Sequence, residues 1–107
     1  MLSDLQFWQR VKNLEGKTVY TLSRKKPNRI VRVTDTYVEI EGRGSRIGFG
    51  GERGLYNNYH ILHRDGFLIR STEGNGRGPY VIPPIIAEAV PEEVDEGFEG
   101  LELRVNK

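Results

Sequence analysis

The stretch Lys17 to Phe49 decides the fold. Val19-Tyr20-Thr21-Leu22 runs into Arg24-Lys25-Lys26-Pro27-Asn28, resumes as Ile30-Val31-Arg32-Val33-Thr34, turns at Asp35-Thr36 and returns as Tyr37-Val38-Glu39-Ile40-Glu41. Short β-branched and aromatic runs broken by Pro, Asn, Asp and Gly are a strand-and-turn pattern. Along the last run Val38 and Ile40 point one way and Tyr37, Glu39 and Glu41 the other, as in a strand with one wet face. By the same alternation Val31 and Val33 share the core side and Ile30 and Arg32 the opposite one. A fourth strand is expected around Ser45 to Phe49, entered through Gly42-Arg43-Gly44.

Outward from this sheet, Ser3-Asp4-Leu5-Gln6 has the spacing of a capping box, flanked by Leu2 and Phe7 as a hydrophobic staple. Phe7, Val11 and Leu14 then form a helical stripe, and Gly16 supplies a left-handed stop, which predicts a helix over Asp4 to Glu15. Trp8 beside the stripe is expected to cover the sheet. A second helix is marked by Leu55, Tyr59 and Leu62 and ends at Asp65-Gly66. Phe67 to Ser71 reads as a strand, Glu73 to Gly78 as a glycine-rich turn, and Pro79 to Ile82 as a returning partner strand. Pro83 and Pro84 suit the first turn of a third helix, Pro83 to Val90, closed by Pro91. Glu92 to Glu99 reads as an acidic linker, and Leu101, Leu103 and Val105 as a last strand closing an edge of the sheet. The expectation is one α+β domain over residues 1–107. It has a small curved antiparallel sheet of four to six strands, about three short helices, and a core of Phe7, Val11, Leu14, Val19, Val31, Val33, Val38, Ile40, Leu55, Leu62 and Ile86.

Phe7-Trp8, Leu14-Glu15-Gly16-Lys17-Thr18, Thr21-Leu22, Pro27 and Ile30-Val31, with Arg70, Tyr80-Val81, Ile85-Ile86-Ala87 and Val90-Pro91 further on, resemble short bacterial proteins that begin with a helix, a Leu-x-Gly stop and a Thr-Leu strand. That likeness implies a fold and no activity, and it departs at Pro83-Pro84. Residues 51–86 also resemble the helix, strand, turn and strand of a winged helix, without the preceding helix-turn-helix.

At 107 residues the chain can bury one core. Hydrophobic content of 36% and charged content of 29% are those of an ordinary folded protein. With no cysteine, disulfides, thiolate metal sites and cysteine nucleophiles are excluded. No secretion signal or bilayer-length apolar run is visible, so a cytoplasmic location with no membrane partner is expected.

The net charge of +1 is unevenly distributed. Residues 1–80 carry 14 Lys and Arg against 8 Asp and Glu, whereas residues 81–107 carry 2 against 7. This segregation fits a basic face for a polyanion and an acidic end facing elsewhere, or simply solvated faces of different sign. Arg24, Lys25 and Lys26, with Arg29 and Arg32 close behind, can neutralise phosphates; they also serve to keep an exposed turn soluble and unpaired. Residues 42–54 hold six glycines and three arginines, Arg43, Arg46 and Arg53, directly before a helix. Glycine lets backbone approach an anion closely, and a helix start adds N–H groups. The spacing matches neither a P-loop nor Gly-x-Gly-x-x-Gly.

His60 and His63 lie one turn apart but lack a second spaced ligand pair, so no metal is expected. Asp35, Glu39 and Glu41 resemble the acidic part of a metal-dependent nuclease, but Gly42 and Arg43 stand where a lysine would be needed. With no nucleophile and base at a catalytic spacing, the chain is read as a non-enzyme without cofactor.

The favoured reading is a nucleic-acid-binding domain for DNA or RNA. Its phosphate contacts would be Arg24, Lys25, Lys26, Arg29, Arg43, Arg46, Arg53 and Arg77, with Tyr37, Tyr56 and Tyr80 as base stackers. The alternative is a protein-interaction or regulatory accessory module, for example in phage defence. It would bind an acidic partner or self-associate as a homo-oligomer through Glu92 to Glu99.

Overall fold

The computed structural model describes residues 1–22, 24–42, 44, 46–70, 74–96 and 102–106, with Glu96 through its backbone alone. The first helix, α1, is Asp4–Lys12. Its capping box forms as the spacing requires: the Gln6 amide donates to Ser3 Oγ at 3.2 Å, and the Ser3 amide donates to Gln6 Oε1 at 3.1 Å. The helix stops a turn short of Glu15, whose carboxylate instead accepts from the Val33 amide at 2.9 Å. Gly16, at φ 85°, turns the chain so that its N–H donates to Ile30 O at 2.7 Å. Glycine fits this left-handed position without a Cβ penalty.

Strands β1 (Thr18–Tyr20), β2 (Pro27–Val33), β3 (Tyr37–Ile40) and β4 (Ile47–Gly48) form an antiparallel sheet in chain order. The fourth strand is shorter than expected, and Ser45 lies outside the described residues. Val38 and Ile40 face the core as the alternation predicts. The register of β2 corrects one expectation: Ile30 is fully buried and Val31 is exposed. Ile30 pairs with Ile40, yet Arg32 pairs with Glu39, so Val31 is the extra residue of a bulge. A bulge shifts the inward positions by one, which keeps Ile30 inside and still lets Val33 pack against the core.

Helix α2, Leu55–Asp65, ends in left-handed Gly66 at φ 84°, as expected. The next segments depart from the hairpin expectation. Strand β5, Phe67–Leu68, does not pair with residues 79–82; Asn75 occupies its flank, accepting from the Ile69 amide and donating to Phe67 O, each at 2.8 Å. Val81 is the N-cap of α3, Ile82–Ala89, which takes Pro83 and Pro84 in its first turn. The apolar run therefore gains more by burial as a helix than as a proline-interrupted strand, and the returning strand expected over Pro79 to Ile82 does not form.

The acidic linker is also corrected: Val94–Glu96 is strand β6, which pairs with β7, Leu103–Val105, while residues 97–101 are outside the description. Rather than closing an edge of the first sheet, β7 is the central strand of a second one, ordered β5-β7-β6. The fold is thus α+β with its strands divided between two antiparallel sheets. Phe7 stacks on Tyr59 at 4.2 Å between α1 and α2, and α3 buries Ile82, Ile85 and Ile86 completely. Trp8 covers the sheet as expected, donating to Thr34 O at 2.8 Å and meeting the Phe49 ring edge-on at 4.9 Å. Apart from Val31 and the half-buried Val33, every expected core residue is buried.

Candidate anion-binding site

The glycine-rich segment after β4 folds into the wall of a hollow of about 500 Å³, lined among others by Arg46, Gly48, Gly50, Gly51, Arg53 and Pro79. Its path is set by backbone bonds: Phe49 N–H to Thr36 O at 2.8 Å, Gly54 N–H to Gly51 O at 3.0 Å and Tyr56 N–H to Phe49 O at 3.0 Å. Gly54 is the N-cap of α2 and contributes no side-chain cap. The first turn of α2 therefore keeps its positive dipole end without an acidic residue beside it. Glu52 sits on the rim and reduces the local positive charge.

A second loop braces the first. Asn58, almost fully buried, donates to Gly54 O and to Arg77 O and accepts from the Arg77 amide, all at 2.8 Å. An Asn can satisfy several backbone groups at once, so this one side chain ties the α2 start to residues 76–79. Gly78, at φ 88°, packs so closely on Arg53 O that a Cβ would meet it at 2.6 Å. Neither Asn58 nor Arg70 was legible as part of the site. Asn58 shows no sequence signal, whereas Arg70 is an arginine in an otherwise apolar strand-like run. Its Nε donates to Gly78 O, and its guanidinium lies 4.7 Å from the centre of the Tyr80 ring.

The seven described residues of the eight predicted basic ones do not share one face. Arg46 and Arg53 both line the hollow, and Arg77 lies on the adjoining loop, folded back on Gly74 O and Gly76 O. Arg24, Lys25 and Lys26 occupy the β1–β2 turn, at the sheet edge opposite β4. There Lys25, at φ 53°, lines a separate hollow of about 250 Å³ with Tyr20, Leu22, Pro84 and Glu88. Arg29 faces Glu41 at 4.0 Å on the wet side of the sheet, an exposed pair worth little to stability. Arg43 lies outside the described residues.

The tyrosines separate equally clearly. Tyr37 is taken up by arginines, with the Arg46 guanidinium 4.3 Å from its ring centre and Arg32 donating to its hydroxyl at 3.0 Å. Tyr56 is half-buried against Phe49 and His60, so its ring is committed to packing. Tyr80 is 60% exposed.

Several other titratable groups have partners within the fold. Asp35 pairs with Lys12, whose hydrogen bond holds its carboxyl below the usual range. Glu39 faces Arg32 at 3.8 Å. Arg10 grips Glu92 with two nitrogens at 3.0 and 2.7 Å, which lowers the Glu92 carboxyl. Glu93 Oε1 accepts from Tyr59 Oη at 2.8 Å and lies 2.7 Å from His63 Nε2. Burial, first, drives the Tyr59 hydroxyl well above the ordinary phenol range. Glu92 and Glu93 are therefore engaged inside the chain. Among the described residues, no group of three or more His, Cys, Asp or Glu is placed to hold a metal ion. No helix among them is long and apolar enough to cross a membrane.

Compared with known proteins, the chain matches no family model, no curated protein and no solved structure.

Proposed function

We propose that this protein binds nucleic acid by its backbone, seating phosphates in the hollow between Arg46 and Arg53, with Arg70 and Arg77 at the margin. The observation that carries this reading is that two arginines line one hollow together with four glycines, Gly48, Gly50, Gly51 and Gly54. Phosphate recognition without base reading needs cationic donors and backbone that can come close, and a glycine wall provides the second. The Arg46 guanidinium, stacked on Tyr37, is already oriented, so less freedom is lost when it pairs with an anion.

The test is the salt dependence of binding to mixed DNA and RNA. Affinity should fall steeply from low to moderate salt, because each neutralised phosphate releases counterions. Arg46→Ala and Arg53→Ala should each flatten the log–log slope by about one unit. The same substitutions at Arg24 and Lys26 ask whether the turn at the far sheet edge adds contacts of its own. An unchanged slope in the Arg46→Ala, Arg53→Ala double variant would refute the hollow as the phosphate site.

A further inference from the structure

We infer that the nucleic acid taken by this site is single-stranded, with an unpaired base lying on the Tyr80 ring while its neighbouring phosphates sit between Arg46 and Arg53; this rests on the phosphate-binding reading above. Tyr80 directly follows Pro79, which lines the hollow. Tyr80 is 60% exposed, which leaves an aromatic side chain open to solvent beside a hollow lined by arginines.

The ring is also held in place. Arg70 lies over it at 4.7 Å, and the same guanidinium donates through Nε to Gly78 O, two residues before Tyr80 in the chain. The arginine thus covers part of the ring, adds a cation beside it and fixes it against the 76–79 loop. Asn58 anchors that loop to α2. A fixed ring next to a cationic groove is what stacking on successive bases requires, and such stacking tolerates any base because every base has a π-face.

Paired bases are stacked on both sides and do not offer a face without unstacking. Duplex readers instead push a helix or ribbon into a groove. Here the arginines line a hollow, and α2 reaches it only through its N-cap, Gly54. Tyr37 and Tyr56, the other tyrosines near the glycine loop, are half-buried, Tyr56 against Phe49 and His60, whereas Tyr80 is exposed. The stacking role therefore falls to Tyr80.

The experiment is a binding titration at low salt with a fluorescein-labelled oligothymidylate and a labelled duplex of the same length. It would use the wild-type chain, Tyr80→Ala, Tyr80→Phe and, as a control, Tyr20→Ala, a comparably exposed tyrosine on the far sheet edge. The expected result is tighter binding of the single strand than of the duplex. Tyr80→Ala should lose roughly 5- to 150-fold of that affinity, the worth of one base–aromatic stack, with Tyr80→Phe and Tyr20→Ala close to wild type. Thermal melting of each variant separates loss of the ring from loss of the fold. Equal binding of duplex and single strand, or a Tyr80→Ala variant that melts and binds like wild type, overturns the inference and leaves phosphate binding standing. Absence of binding to either probe overturns both.

Discussion

Replacing Gly54 by alanine tests how the hollow is built. Gly54 is buried, with φ −85° and ψ 168°, a conformation open to any residue, so backbone strain contributes nothing to the cost. The cost is contact. A Cβ at this position would meet the Gly50 carbonyl carbon and Phe49 O at 2.7 Å, with Gly50 O closer still. All three are backbone atoms and cannot rotate away, so residues 49–50 must move. Overpacking of this kind costs about 1–3 kcal/mol. For a domain near this size each kcal/mol lowers the melting temperature by roughly 4–8 °C. Gly50→Ala is the matched control, since nothing lies within 4 Å of its Cβ and its φ is not left-handed. It should be neutral or stabilising by up to about 1 kcal/mol. Thermal melting followed by circular dichroism measures both, and the binding titration shows whether displacing Phe49 and Gly50 also weakens the site. A Gly54→Ala protein that melts with wild type, or a Gly50→Ala protein equally damaged, would refute the packing argument.

Three further outcomes are expected. Ile30→Ala should cost about 2–5 kcal/mol in denaturant unfolding, while Val31→Ala should stay within about 0.5 kcal/mol; the reverse order would mean that the bulge in β2 is misplaced. Glu93→Ala removes the carboxylate bonded to Tyr59 Oη and His63 Nε2 and should destabilise by about 1–3 kcal/mol, with an unchanged unfolding midpoint counting against that network. Asp65 is held down to about 2 by hydrogen bonds from Arg64 and then Asn75. Since an unperturbed aspartate titrates near ~3.9, the unfolded chain takes up this proton first. The Asp65 contribution is therefore present above about pH 4 and is lost as the pH falls toward about 2. The gap between wild type and Asp65→Asn in unfolding midpoint should narrow over that range, and a gap independent of pH would contradict the assignment.

The local elements were legible because local chemistry sets them. Ser3 and Gln6 specify their cap through atoms three residues apart, and Gly16 and Gly66 mark turns that disfavour a side chain. The alternation of Val38 and Ile40 with Tyr37 and Glu39 assigns faces without knowledge of the partner strand. The bulge at Val31 was not legible, because Ile30 and Val31 are both β-branched and only the pairing with Ile40 and Glu39 chooses between them. Residues 79–82 have strand composition, yet their neighbour was decided at a distance: Asn75 covers the flank of β5, and α3 buries the apolar run. In the same way Leu103 to Val105 reads as a strand from its alternation, but its central place in a second sheet depends on β5, remote in the chain, and on β6, whose acidic sequence reads as a linker. For the site, composition indicated that arginine and glycine were concentrated in residues 42–54. Which arginines line the hollow, which tyrosine is left exposed, and that Asn58 and Arg70 hold the loops together are consequences of packing between α2 and the 74–80 segment, elements whose sequences carry no record of each other.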